Sequence, residues 1–243
     1  VKEEDFASYK TAVNQVDGTV YGVPFDSGVA ATFYRTDMIE EAGYTQEDMQ
    51  DLTWEKYIEI GKAVKEKTGS YMLTLDPSDI GQNRMMMQSA GSWYTDEEGK
   101  VSLEGNQALK DAIGVYKELV DSGIAKQVSD WDQFVGAFNG GEVATVPTGC
   151  WIAPSIQKAE DQSGKWAVAP FPRMEANEDS VNASSIGGGG WYVLKNVGHE
   201  ELAKDFLADT FASSVDLMNT LAADITLVST LNAASEAENY SKP

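Results

Sequence analysis

The hydrophobic pattern of this chain changes period repeatedly, and each change marks an element. Trp54, Tyr57, Ile58, Gly61 and Val64 keep helical spacing behind Thr53, which predicts a helix running from a Thr53 cap to Gly69. Leu109, Ile113, Tyr116, Leu119 and Val120 predict a strongly amphipathic helix that ends at Gly123. Asp130 and Gln133 form a capping-box pair ahead of Phe134, Ala137 and Phe138, and Gly140-Gly141 stops that helix. Ile80 to Met87 is helix-like and rich in methionine, a residue that fills core gaps or makes an adaptable surface. Leu202, Phe206 and Leu207 predict a core-facing helix over 201–211, and Ser214 caps another through Val215, Met218 and Leu221. Trp54, Tyr116, Phe134 and Phe206 are read as core, each on an apolar helix face.

Between these segments lie short runs of strand character. Val20 to Gly28 is extended and punctuated by Gly and Pro; Ala31 to Asp37 is a buried β-rich run that leads to a short helix closed by Gly43. Tyr71 to Leu75 is a short buried strand broken by Asp76-Pro77. Trp93 to Val101 reads as a small hairpin with Glu98-Gly99 near its turn. Glu142 to Pro147 is a strand that runs through Thr148-Gly149-Cys150-Trp151 into a helix reaching Ile156, and Trp166 to Pro172 is another strand. After a polar loop, four glycines, 187–190, precede a buried strand, Trp191 to Leu194. Strands alternating with helices imply an α/β sandwich with parallel pairs.

Charge removes two classes of partner. Lys and Arg number 18 against 39 Asp and Glu, a formal charge of −21, which opposes binding to a nucleic-acid backbone or an anionic lipid surface. Cys150 is the only cysteine and His199 the only histidine, so neither a zinc site nor a Cys/His nucleophile pair has its parts close in sequence. No Gly-x-Ser-x-Gly elbow occurs, and the four-glycine run lacks the following Lys-Ser/Thr of a phosphate loop. Asp76-Pro77-Ser78-Asp79 and Asp96-Glu97-Glu98-Gly99 lack the alternating ligands of a calcium loop and read as solvated turns. A carboxylate pair suited to glycoside hydrolysis could hide among 39 acids, so a carbohydrate-active enzyme remains the competing class. No catalytic residue, metal or cofactor is assigned. No apolar run approaches the roughly 18 residues of a membrane span. The start, Val1-Lys2-Glu3-Glu4-Asp5, has no signal segment and reads as that of a mature or truncated chain.

Three separated passages share one order with a known family. These are Tyr21 to Gly43 followed by Thr53-Trp54-Glu55; Phe134 to Thr145 running into Gly149-Cys150-Trp151; and Gly189-Gly190-Trp191-Tyr192-Val193-Leu194 with Glu201 to Leu207 behind it. Together they resemble bacterial extracellular solute-binding proteins of family 1, the maltose-binding-protein-like, sugar-binding type that feeds ABC transporters. The resemblance implies an α/β, periplasmic-binding-protein-like fold of type II whose two lobes close about the crossovers near 22–24 and 185–190. Because family members begin with a complete strand-and-helix lobe and end with a run of helices, the chain is expected to be a fragment. On that reading 1–23 is a remnant of lobe 1, 24–184 is lobe 2, 185–225 is a return segment of lobe 1, and 226–243 starts a third crossing into lobe 2. Uncovered edges and apolar faces of such a fragment can support dimerisation or segment swapping. The implied partners are a carbohydrate, most readily an oligosaccharide, and the membrane permease subunits of an ABC transporter, with no nucleic acid. The implied location is extracellular, either lipid-anchored at the cell surface or periplasmic. A receptor for a peptide, polyamine or other small molecule on the same fold is the competing binding reading.

Open α/β sheets bind ligands outside the carboxyl ends of their strands, and sugars pair an apolar C–H face with hydroxyls, so candidate residues are aromatics and acceptors near strand ends. Trp151 follows a strand directly, and by family correspondence stands where a sugar ring stacks; the other reading is a core Trp anchoring its helix. Asp26 and Ser27 lie past the first crossover strand, where they accept ligand hydroxyls or stabilise a turn. Gly189 belongs to a run that is either a hinge or a bed for ligand against backbone, or a plain flexible loop. Trp191 beside it is a second platform. Trp93, with Tyr94, either lines the same cleft or packs as a hairpin pair on the sheet.

Overall fold

In the computed structural model, which describes residues 2–241, the strands are Gln15–Val16 (β1), Thr19–Val20 (β2), Val23–Pro24 (β3), Ala30–Arg35 (β4), Leu73–Leu75 (β5), Ala125–Gln127 (β6), Thr145–Gly149 (β7), Trp166–Pro170 (β8) and Gly190–Trp191 (β9). The α-helices of the first half are Ser8–Ala12 (α1), Thr36–Glu41 (α2), Trp54–Thr68 (α3), Gly81–Ser89 (α4) and Gln107–Asp121 (α5). Those of the second half are Trp131–Asn139 (α6), Ala153–Ile156 (α7), Glu200–Asp209 (α8), Val215–Ile225 (α9) and Glu238–Ser241 (α10). Among the described residues no helix is long and apolar enough to cross a membrane.

The chain divides into two units, Val29–Ile186 and a discontinuous one made of Val1–Gly28 with Gly187–Pro243. Residues 1, 242 and 243, which belong to the outer segments of the expected division, lie outside the described residues.

The continuous unit is built on a mixed sheet in the order β6, β5, β7, β4, β8. β5 pairs with β6 in parallel, Leu73 opposite Ala125. The parallel bridge of Tyr71 with Val143 joins β5 to β7, through the Tyr71 N–H to the Glu142 carbonyl and the Ala144 N–H to the Tyr71 carbonyl, both 2.9 Å. β4 then runs antiparallel to both β7 and β8. Parallel pairs therefore make only half of the sheet, because β4 arrives from outside this unit and leaves through α2 rather than through a crossover. β4 is the central strand of its three and is covered on both faces: Phe33 points into one cluster with Phe138, Val146 and Ile152, while Tyr34 points into the other with Trp54, Tyr57 and Ile60. The alternation follows from the two-residue period of a strand.

Helix α3 forms as its pattern requires. The Thr53 hydroxyl accepts from the Lys56 N–H at 3.1 Å, Gly69 ends the helix, and Trp54, Tyr57, Ile60 and Val64 are fully buried. Each such side chain is worth roughly 1.5–3 kcal/mol in burial. Trp54 meets Tyr57 and Phe171 edge-on at 5.1 and 5.4 Å. Met85, Met86 and Met87 of α4 are all buried and act as core filler. Helix α5 sets Leu109, Tyr116 and Leu119 of its predicted face against the core. It buries Ala108, Ala112, Val115 and Leu119, leaving Ile113 and Val120 exposed, because it packs on both α4 and α3 and the two alanines permit that approach.

The discontinuous unit is smaller. β3 pairs antiparallel with β9, Val23 opposite Trp191, and the β1–β2 hairpin turns at Asp17-Gly18. Its core gathers Phe6, Val23, Met218, Leu227, Leu231 and Ala234. Four expectations change here. The described closing segment, 226–241, stays in this unit instead of starting a crossing, since Leu227, Leu231 and Ala234 are buried and Leu231 bridges Phe6. The unit boundaries fall at 28/29 and 186/187 rather than at 23/24 and 184/185. Helix α8 buries no residue, with Leu202 and Phe206 exposed, and the strand after the glycines is two residues long with Tyr192 and Leu194 exposed. The reason is common to both: only Val23–Pro24 lies alongside β9 to pair with it, and the small core reaches α8 no further than Leu207.

Candidate functional site

Parallel pairing brings the carboxyl ends of β5, β6 and β7 to one edge of the continuous unit, and a cleft of about 280 Å³ opens there. Ligand sites of open α/β sheets lie in this position. One side of the cleft is aromatic. β7 ends in a turn of 3-10 helix that carries Trp151, whose indole N–H donates to the Ile186 carbonyl at 3.1 Å. A Cβ on Gly149 would overlap that indole and lie 2.8 Å from the same carbonyl, so glycine at the strand end is what lets the ring fold back there. Trp131 opens α6 directly after its cap, and its ring centroid lies 6.0 Å from that of Trp151 and 5.6 Å from that of Phe134. Both tryptophans keep a free face, Trp131 being 53% and Trp151 38% exposed.

The acceptors stand at the ends of the parallel strands. Asp76 follows β5 and accepts from the Ser78 N–H at 2.8 Å and hydroxyl at 2.7 Å; the hydroxyl first and the N–H second hold its carboxyl below the usual range. Asp79 accepts from the Gly81 N–H at 2.8 Å at the start of α4. Asp130 caps α6, accepting from the Gln133 N–H at 2.8 Å and side-chain amide at 2.7 Å. The Gln82 amide donates to the Pro147 carbonyl at 2.8 Å and fixes α4 beside β7. Aromatic faces beside carboxylates that accept but cannot donate suit a polyol, which offers C–H faces and hydroxyl donors.

The residues expected at a site separate as follows. Trp151 lines the cleft. Trp93 belongs to the same unit but not to the cleft lining; it packs on Tyr94, centroids 4.8 Å apart, at a turn where Thr95 bridges Val101. Asp26, Ser27, Gly189 and Trp191 all belong to the other unit. There Asp26 accepts from the Gly189 N–H at 2.6 Å, so these two meet as backbone support. Ser27 is buried with its hydroxyl bonded to that of Tyr9, which commits it to structure rather than to an exposed acceptor role. Trp191 stacks on Phe211 at 5.0 Å and tilts against Phe25 at 5.4 Å.

Most of the cleft lining lies outside the residues expected at a site. Phe134, expected as core, is half-buried: it packs against the cluster of Phe138 and Val146 and also lines the cleft, beside Trp131, for which the sequence carries no expectation. From sequence, Asp76 and Asp79 read as solvated turns and Asp130 as a cap alone. The available signal was their place just after Leu73–Leu75 and Ala125–Gln127, strands whose parallel partners could not be read from spacing. Among the described residues no group of three or more His, Cys, Asp or Glu is placed to hold a metal ion.

The chain is 43% identical over 238 residues to the lactose-binding protein of Rhizobium radiobacter, an alignment covering 98% of this chain and 56% of that one. It is 33% identical to the arabinooligosaccharide-binding protein of Halalkalibacterium halodurans, over 79% of this chain and 43% of that one. The chain thus spans about half the length of the curated relatives it matches. Among solved structures it superposes, at a TM-score of 0.81 and 26% identity, on the ABC transporter associated binding protein from B. animalis subsp. lactis Bl-04 in complex with beta-1,6-galactobiose, covering 98% of this chain and 58% of that one. The fold is the type II periplasmic-binding-protein α/β fold. The family described as bacterial extracellular solute-binding protein matches residues 2–243, and the chain belongs to it.

Proposed function

We propose that the chain is the sugar-recognising part of a receptor that delivers a carbohydrate, foremost an oligosaccharide, to the membrane permease subunits of an ABC importer. The observation that carries this is the pairing of Trp131 and Trp151 with Asp76 and Asp79 at the carboxyl ends of parallel strands. The names of the relatives, lactose-binding and arabinooligosaccharide-binding, support the same class of ligand. Work of this kind is done outside the cytoplasmic membrane, by a lipid-anchored or periplasmic protein. The lobe closure implied by the resemblance is driven only by the ligand's greater affinity for the closed form. The protein binds and releases, leaving its ligand unaltered.

Saturation-transfer NMR with lactose, arabinotriose and maltotriose tests this, since it registers weak as well as tight complexes. Saturable transfer to at least one sugar, with the sugar recovered intact by chromatography after prolonged incubation, is expected. Absence of transfer to every sugar overturns the ligand class. Protein-dependent release of shorter sugars, abolished by a single Asp substitution, overturns the receptor reading and makes a carboxylate pair catalytic.

A further inference from the structure

We infer that the cleft selects by charge, accepting neutral or amine-bearing sugars and rejecting those that carry a carboxylate, sulfate or phosphate. This rests on the proposed function and specifies which sugars that site admits.

Three observations carry it. Among the described residues, the charged ones that line the cleft are Asp76, Asp79 and Asp130, and no Lys, Arg or His lines it. Their hydrogen bonds come from neutral donors, and none of the ion pairs among the described residues includes them. The aromatic wall acts in the same direction, because the negative face of an indole attracts a cation and repels an anion.

Hydrogen-bonding capacity reinforces the sign. Asp76 and Asp79 each direct one oxygen, Oδ1, at a nearby N–H, and their Oδ2 atoms accept no hydrogen bond among the described residues. A carboxylate oxygen can only accept, so it needs a hydroxyl or an ammonium from the ligand. A uronate, sulfate or phosphate group offers another acceptor of like charge and leaves both sides unsatisfied. A pocket that repels one class of competitor in this way gains specificity without tighter contacts to the right one. For charges several ångströms apart in a partly desolvated cleft, the discrimination should be about tenfold or more.

The test compares α-1,4-galactobiose, its digalacturonate counterpart, cellobiose and diglucosamine on the 243-residue chain. Dissociation constants come from saturation-transfer titrations near neutral pH at low and high salt. Digalacturonate is expected to bind at least about tenfold more weakly than galactobiose, with the gap narrowing at high salt. Diglucosamine is expected to equal or exceed cellobiose. Asp76→Asn with Asp79→Asn keeps the side-chain shape and should shrink the gap at low salt; the salt dependence of the unaltered chain serves as the second measurement if that variant folds poorly. Equal or tighter binding of digalacturonate, or a gap insensitive to salt, overturns the charge selection while leaving the sugar reading intact. If none of the four sugars binds, and lactose, arabinotriose and maltotriose fail as well, the proposed function falls and takes this inference with it.

Discussion

The rings of Trp131 and Trp151 lie 6.0 Å apart between centroids with their planes inclined by 32°, although one opens a helix and the other follows a strand. Neither ring is sealed in the core, and each is held from behind: Trp151 by the Ile186 carbonyl, Trp131 by Phe134. A pre-positioned aromatic surface of this kind lowers the ordering cost of binding.

Trp151→Ala should therefore weaken sugar binding by about 1–3 kcal/mol, the scale of covering an aromatic ring, while leaving the melting temperature of the free chain little changed. Trp131→Ala should act in the same direction, and the two losses should not be additive, because the rings share one surface. Calorimetric titration and thermal melts of the single and double variants check this. A large loss of stability with unchanged affinity would make Trp151 a core residue.

Two neighbouring glycines should respond differently to alanine. Gly188 has φ +81°, and a Cβ there would collide with the Lys10 ammonium and lie 2.7 Å from the Asp26 carbonyl oxygen. At Gly189 a Cβ would meet only an Asp26 carboxylate oxygen at 3.7 Å. Gly188→Ala is expected to cost about 1–3 kcal/mol and Gly189→Ala well under 1 kcal/mol in urea unfolding. Similar values for both would mean that the run is a loose loop rather than a fitted one.

Acid should unlock the Arg35–Asp37 pair. Partial burial pushes the Asp37 carboxyl upward, but hydrogen bonds from the Arg35 guanidinium at 2.8 and 2.7 Å, together with its charge, outweigh this and hold the carboxyl below its ordinary value. A lowered folded pKa means that the unfolded chain takes up the proton first. The stabilisation is thus present above the ordinary Asp value of about 4 and is lost as pH falls through the lower folded value. Melting curves of the parent and Asp37→Asn should be separated at neutral pH and converge below about pH 4. A constant separation across that window would show that the pair does not titrate as described.

Local design was legible from the residues alone. The caps at Thr53, Asp130 and Ser214 form with the Lys56, Gln133 and Leu217 N–H groups that their spacing demands, because capping is settled within one helical turn. The apolar face of α3 was equally clear, since it has one stripe and one core to meet. For α5 the pattern placed Leu109, Tyr116 and Leu119 against the core as expected, but not Ile113 and Val120, which are exposed. Only packing against two helices decided that Ala108 and Ala112 go inward, and for α8 only the small size of the available core decided that Phe206 stays outside.

The order of elements and the three family passages determined the class of protein. What the sequence could not contain was the pairing of β5 between β6 and β7, which depends on backbone hydrogen bonds between residues far apart in the chain. That pairing gathers Asp76, Asp130, Trp131 and Trp151 into one cleft, whereas Asp26, Ser27, Gly189 and Trp191, so conspicuous in sequence, stand in the other unit. Spacing along a chain fixes which face of an element a side chain takes. Which faces meet is decided by strand register and burial, and these exist only once the sheet has formed.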